Sequence, residues 1–273
     1  MGRILTDTSF RPVIGTQSRV MFEKTWITDT YTTPGDYEFV ITGDTGLYIE
    51  VECWGPGSHG QNITVGTKLA GNGGNGGGYS KSIIRDYKWT KGYDPDTSPF
   101  YSGTTIYFRV AEGGTTDSDY LTSASFYESG YGFCEAYTRT VGNGKGDIVY
   151  SGGTGANDFS NSNYGGYKYY IGGGGGEGAS PSGNGNNAVE IGTGPGEDDP
   201  DSVNAGRGGS GTDGADGGKG RQGVVRDVSV EGAGNGYPGT SPGGGGGGCY
   251  ADGTATKLGG NGGNGQIKIS YYI

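Results

Sequence analysis

The chain has little of what most enzymes and nucleic-acid binders are built from. Its 273 residues contain one histidine, three cysteines and ten prolines. A single histidine, His59 in "GPGSHGQ", excludes any site that needs two imidazoles, and a lone loop histidine is expected to face solvent. Cys53, Cys134 and Cys249 are odd in number and far apart, so they form neither a disulfide framework nor a CxxC metal clip. Reduced thiols are expected. No run approaches the roughly 18 apolar residues of a membrane span, so no membrane insertion is expected. "MGRILTDTSF" lacks the apolar centre of a secretory signal. Basic residues are few, 19 against 29 acidic ones for a net charge of −10, and they are scattered singly. Without a basic stripe there is no footprint for nucleic acid, and anionic membrane surfaces are equally poor partners. No segment keeps a helical apolar period over 11 residues.

Catalytic and cofactor motifs are also missing. "GTSPG" (Gly239–Gly243) matches the G-x-S-x-G pattern, but no strand-to-helix turn surrounds it and no histidine follows Ser241. "GNGGNG" (Gly71–Gly76 and Gly260–Gly265) and "GNGYPG" (Gly234–Gly239) match a dinucleotide fingerprint, but no helix follows to receive a phosphate. "EDDPD" (Glu197–Asp201) lacks EF-hand spacing and reads as a solvated acidic loop. No catalysis, cofactor or metal is implied.

What the chain has is glycine, 65 residues of it, against a usual share of about 7%. Disorder is the ordinary reading of such a bias. Aromatics argue against it: they make up 12% of the chain and include 21 tyrosines, whereas disordered chains are poor in them. The apolar residues also fall in alternating clusters. In "YTTPGDYEFVI" (Tyr31–Ile41), Tyr37, Phe39 and Ile41 share one face. In "GLYIEVECWG" (Gly46–Gly55), Leu47, Ile49, Val51 and Cys53 do so. "TTIYFRVAEGG" (Thr104–Gly114) turns Ile106, Phe108 and Val110 inward, and "QIKISYYI" (Gln266–Ile273) does the same with Ile267, Ile269 and Tyr271. A period of two predicts half-buried strands.

Between these strands the glycine runs carry a different signal. Glycine recurs every third residue from Gly208 to Gly223. Three residues per turn is the repeat of the polyproline II helix, whose backbone groups all point outward without internal hydrogen bonds. A collagen-like trimer uses the same period but depends on proline for stiffness, and this run has none. The other use is a side-by-side bundle, in which neighbouring helices satisfy one another's backbone groups. A Cβ would separate the two backbones, so every packed face must be glycine. Pure runs, Gly172–Gly176 and Gly243–Gly248, should then be interior. In "GNGGNG", Asn72, Asn75, Asn261 and Asn264 should mark the open face. The expected fold is all-β: a β-sandwich-like strand framework enclosing a bundle of polyglycine II helices, with essentially no α-helix. Residues 1–30 read as an N-terminal arm and 31–273 as the domain.

Those motifs, in that order, resemble the glycine-rich domain of bacteriophage tail-fibre, tail-tip and other virion proteins. The resemblance is carried by "TTPGDYEFVI", "LYIEVECWGPG", "GNGGNGGGYSKSII", "IYFRVAEGG", "IGGGGGEG", "PGGGGGGCYADG" and "GGNGGNGQIKISY", and spans about residues 32–273. The polyglycine-helix adhesins of T-even-type phages are similar in one further respect: variable loops between their glycine motifs contact the host receptor. The resemblance implies a virion location after assembly in the host cytoplasm. It also implies an arm docked on other virion proteins, and contact with a host surface polysaccharide or outer-surface protein. Homo-oligomerisation stays open.

Four stretches, 93–103, 115–140, 156–170 and 195–205, read as loops rich in Tyr, Ser, Asn and Gly, the composition of binding loops. Phe159, Tyr164, Tyr167, Tyr169 and Tyr170 form one aromatic cluster able to stack on sugar rings. Tyr127, Tyr131, Phe133 and Tyr137 form a second. The competing expectation is that these rings pack against a glycine lattice that has no side chains of its own. At the level of function the rivals are a structural virion component without receptor contact, an ice-binding protein and a polysaccharide depolymerase. An ice-binding protein needs a flat Thr/Ser face, and a depolymerase a carboxylate pair in a groove.

Overall fold

The computed structural model describes residues 25–41, 48–66, 68–85, 105–114, 121–125, 132–138, 144–164, 167–188, 222–226, 229–231 and 233–272. For 68–69, 85, 159–164, 167–169, 222–226 and 229–231 it describes the backbone only. Among the described residues regular structure is all β, with no helix. The first strands are β1 (Trp26–Tyr31), β2 (Gly35–Val40), β3 (Tyr48–Trp54), β4 (Lys68–Ala70), β5 (Tyr79–Arg85), β6 (Thr105–Val110) and β7 (Leu121–Ser125). They are followed by β8 (Cys134–Tyr137), β9 (Ile148–Tyr150), β10 (Phe159–Tyr164) and β11 (Tyr167–Ile171). The last are β12 (Gln222–Arg226), β13 (Ser229–Glu231), β14 (Tyr250–Asp252) and β15 (Gln266–Tyr272).

Two antiparallel sheets, ordered β1-β15-β3-β5-β9 and β2-β6-β7-β8, share one apolar core. Ile27, Ile49, Val51, Cys53, Ile267 and Ile269 come from the first sheet; Phe39, Ile106, Phe108 and Val110 come from the second. Every described residue that alternation turned inward is in this core or packed against it, Tyr37 included. The register explains the fit. Ile269 lies opposite Val51 and Ile267 opposite Cys53, so a one-residue slip of β15 would expose the whole set. β15 lies between β1 and β3, so residues far apart in sequence close the sheet.

Two of the four stretches read as loops contain strands. Within 115–140 lie β7 and β8, paired from Leu121↔Tyr137 to Ala124↔Cys134. Their inward residues are Thr122, Ala124, Cys134 and Ala136, all buried but too small to give an aliphatic signature. Within 156–170 lie β10 and β11, which continue into β12 and β13 as a second four-stranded sheet. "FSNSNY" pairs through its backbone and has no apolar alternation to betray it. β1 takes up the end of the segment read as an arm, pairing with β15 from Trp26↔Tyr272 to Tyr31↔Ile267. Residues 1–24, 93–103 and 195–205 lie outside the described residues, as does the glycine triplet run before Gly223, which falls in β12.

The glycine runs form extended segments at 55–61, 71–78, 151–156, 172–180, 184–188, 234–239, 243–249 and 259–265, tied to one another by backbone hydrogen bonds. The bonds advance by three residues. Gly71, Gly74 and Gly77 donate to the carbonyls of Cys249, Gly246 and Gly243; Gly173, Gly176 and Ala179 donate to those of Gly71, Gly74 and Gly77. Along Gly243–Gly248, successive N–H groups turn to the carbonyls of Asn264, Thr240, Gly176, Ser58, Tyr237 and Gly173. Gly172–Gly176 and Gly243–Gly248 are buried throughout, as expected for pure runs. A Cβ on Gly246 would lie 1.7 Å from the Gly260 carbonyl oxygen, and one on Gly73 would lie 1.9 Å from that of Gly174. Those approaches are open to no other residue.

The asparagines do more than mark an open face. Asn72 and Asn261 are exposed, and Asn75 and Asn264 half-buried. The side-chain oxygens of Asn72, Asn75 and Asn264 replace the carbonyl of an absent neighbouring segment. Asn72 accepts from the N–H of Asp158 (2.7 Å), Asn75 from Gly155 (3.1 Å) and Asn264 from Gly113 (2.8 Å). Asn184 and Asn187 serve Ser151 and Thr154 in the same way, each at 2.8 Å. Edge N–H groups that would otherwise need water are thus satisfied within the chain.

Candidate functional site

The outward face of β2, β6 and β7 follows directly from the inward one. With Phe39 turned to the core, Asp36 and Glu38 point away; with Ile106, Phe108 and Val110 inward, Tyr107 and Arg109 point away; with Thr122 and Ala124 inward, Ser123 and Ser125 point away. The register arranges these into two rows across the strands. Asp36 lies opposite Arg109, which lies opposite Ser123; Glu38 lies opposite Tyr107, which lies opposite Ser125. Together with Tyr37 and Phe108, these residues line an open cavity of about 650 Å³. The Arg109 Nε and Asp36 Oδ1 are 3.6 Å apart, with the two side chains 67% and 80% exposed. An ion pair so solvated adds little to stability.

Beneath the rim of this face the polar groups are fixed. Glu135, on β8 opposite Ser123, is 3% exposed. It accepts from the Gly132 N–H (2.7 Å), the Tyr137 hydroxyl (3.1 Å) and the Lys145 ammonium (3.1 Å). Tyr37 stacks on Phe108 at 5.4 Å and 13°, and its hydroxyl donates to the Thr33 carbonyl at 2.8 Å. On this face Asp36, Glu38 and Arg109 are exposed, Tyr107 and Ser123 half-buried, and Ser125 only 8% exposed.

The sequence-predicted aromatics divide. Phe133 is 2% exposed and belongs to the core, so it has no face to offer a receptor. Tyr137 ends β8, half-buried against Glu135. Tyr127 and Tyr131 lie outside the described residues. Phe159 and Tyr164 fall on β10, and Tyr167, Tyr169 and Tyr170 on β11. The pairing sets Asn161 opposite Tyr169 and Tyr164 opposite Tyr167, which brings Tyr164 and Tyr167 together at the turn end of the hairpin. Tyr170 stacks on Tyr250 at 5.5 Å and 14°. Tyr250 is fully buried, its hydroxyl has no hydrogen-bond partner among the described residues, and burial followed by the neighbouring Tyr170 pushes its pKa up to about 12.

Other candidate chemistry resolves into packing. The three cysteines are free and buried. Burial first, then the adjacent Cys134 thiol, pushes the Cys53 thiol well above its usual range, where it is a poor nucleophile. The His59 Nδ1 contacts the Gly60 carbonyl, and the Ser241 hydroxyl accepts from the Asn264 N–H at 2.9 Å. Among the described residues no group of three or more His, Cys, Asp or Glu is placed to hold a metal ion. No protein-family model matches the chain, and no curated protein matches it in sequence.

The groove residues Asp36, Glu38, Tyr107, Arg109, Ser123 and Ser125 were not singled out by sequence. Asp36, Glu38, Tyr107 and Arg109 were legible as the outward halves of two predicted strands. What sequence lacked was the register that sets those strands side by side and the pairing of β7.

Proposed function

We propose that this chain is a bacteriophage virion protein, a tail-fibre or tail-tip adhesin that contacts the host surface with side chains carried on a glycine-built scaffold. In this reading the glycine segments are polyglycine II helices, bundled and clamped by a β-sandwich. The observation that carries it is the three-residue step of the intersegment hydrogen bonds, with each N–H of Gly243–Gly248 turning to a new partner. Such a step is what an extended helix with three residues per turn and no internal bonds would give, and it supports the reading. Its flanking strands follow the motif order of the phage glycine-rich domain. A scaffold of this kind costs about 0.5–1 kcal/mol per glycine in chain entropy relative to alanine. Hydrogen bonds worth about 0.5–1.5 kcal/mol net each offset that cost. It leaves rigid edges from which hairpins and sheet faces project, as receptor contact requires.

The test is competition. Purified protein incubated with host cells should reduce adsorption of the phage that encodes it, and labelled protein should bind those cells saturably. Protein that is folded, yet neither binds nor competes, would leave a purely structural role in the particle.

A further inference from the structure

We infer that the groove over β2, β6 and β7 is a binding site for a neutral glycan. The inference rests on the adhesin reading for its biological setting and names the ligand class and the residues. Cross-strand neighbours are about 5 Å apart, and residues two apart on a strand about 7 Å. The two rows of three thus cover about the footprint of a disaccharide. The cavity, about 650 Å³, falls within the range of about 300–1,000 Å³ usual for small-ligand sites.

The chemistry of the six side chains selects the ligand. Tyr107, half-buried, is the aromatic at the middle of its row, between Glu38 on one side and Ser125, 8% exposed, on the other. A pyranose ring laid on an aromatic face turns its hydroxyls outward to the flanking groups. Carboxylates accept from vicinal hydroxyls, the guanidinium donates to ring and hydroxyl oxygens, and serine does both. Charge then removes the alternatives. Asp36 and Arg109 neutralise each other across the strands, leaving Glu38 as the uncompensated charge of the six. An anionic sugar, uronate or sulfate, meets the uncompensated Glu38 and a molecule of net charge −10. A cationic ligand has only the single, solvent-screened Glu38 charge to hold it. A neutral polyhydroxylated ligand meets neither limit. Because the Asp36–Arg109 pair is solvated and long, a ligand can exchange its bonds at little cost.

The experiment is an immobilised array of neutral hexose and deoxyhexose oligosaccharides, with oligogalacturonate and sulfated oligosaccharides as the anionic arm. It is probed with the full chain and with Tyr107→Ala, Glu38→Gln and Tyr237→Ala, the last an exposed aromatic outside the groove. Wild type and Tyr237→Ala should bind a neutral probe. Tyr107→Ala should weaken that binding by about tenfold or more. Glu38→Gln, which keeps the shape and removes the charge, should weaken it less while its melting temperature stays at the wild-type value. Failure to bind any neutral probe, preference for the anionic arm, or binding that survives both groove substitutions would overturn the inference. The two readings separate cleanly. Adsorption blocking without groove-dependent glycan binding sinks the groove and keeps the adhesin. Groove-dependent glycan binding without adsorption blocking does the reverse.

Discussion

Replacing Gly246 by alanine tests the scaffold at its most crowded point. The new Cβ would stand 1.7 Å from the Gly260 carbonyl oxygen, whereas ordinary contact begins near 3.4 Å. Both partners are backbone, so no side chain can swing aside. Segments 243–249 and 259–265 would have to part by about 1.5 Å or more, on the usual contact distances. Two bonds join them nearby, Gly260 N–H to Gly247 O and Gly263 N–H to Gly244 O, each 2.7 Å. Stretched to about 4 Å they cease to be hydrogen bonds. Segment 243–249 is buried throughout, so water does not replace the partners its carbonyls lose. Two broken bonds with buried groups left over cost about 3–6 kcal/mol, against a total stability of about 5–15 kcal/mol. At this chain length the corresponding fall in melting temperature is about 5–10 °C. Asn261→Ala, in the segment opposite, is the control. It is exposed and already carries a Cβ, so it should stay within about 0.5 kcal/mol of wild type. The readout is thermal and denaturant unfolding of the purified variants. A Gly246→Ala protein that melts within about 2 °C of wild type would refute the claim that backbone contact across these segments holds the fold.

Tyr250→Phe removes a buried hydroxyl that has no partner among the described residues, and should stabilise the protein by about 1 kcal/mol at neutral pH. The folded pKa of Tyr250 is raised from 10.0 to about 12. Its contribution is therefore fully present below pH 10 and lost as pH rises from 10 toward 12, and Tyr250→Phe should flatten the denaturation profile across that window. Tyr79 acts in the same direction: burial first, then its bond to Glu52, raises its pKa further. Glu135→Leu should cost about 2–3 kcal/mol by stranding the Gly132 N–H and removing the carboxylate that Lys145 contacts, read by denaturant titration. Asn75→Ala removes the acceptor of the Gly155 N–H and should cost about 1 kcal/mol.

The strand frame was legible because period-two alternation survives in aliphatic stretches such as "LYIEVECW" and "QIKISYY". It failed where inward residues are small, as Thr122, Ala124 and Ala136 are, and where a hairpin such as β10–β11 is built from Ser, Asn and Tyr. The burial of Gly172–Gly176 and Gly243–Gly248 was readable from purity alone, since a run without any Cβ can be surrounded. The asparagine role was half legible. Spacing of three put Asn72 and Asn75 on one face, but sequence does not say that their carboxamides would serve as acceptors for a neighbouring segment. The groove needed register, which depends on pairings between strands whose separation in sequence carries no signal. Aromatic composition alone could not distinguish Phe133 in the core from a ring in a surface loop.

The most direct test of the central claim is the position of this chain on the intact particle. Gold-labelled antibody raised against the purified protein should decorate the fibre or tip of the tail and block adsorption when added before the host. Label confined to the capsid wall, with adsorption unaffected, would contradict the account.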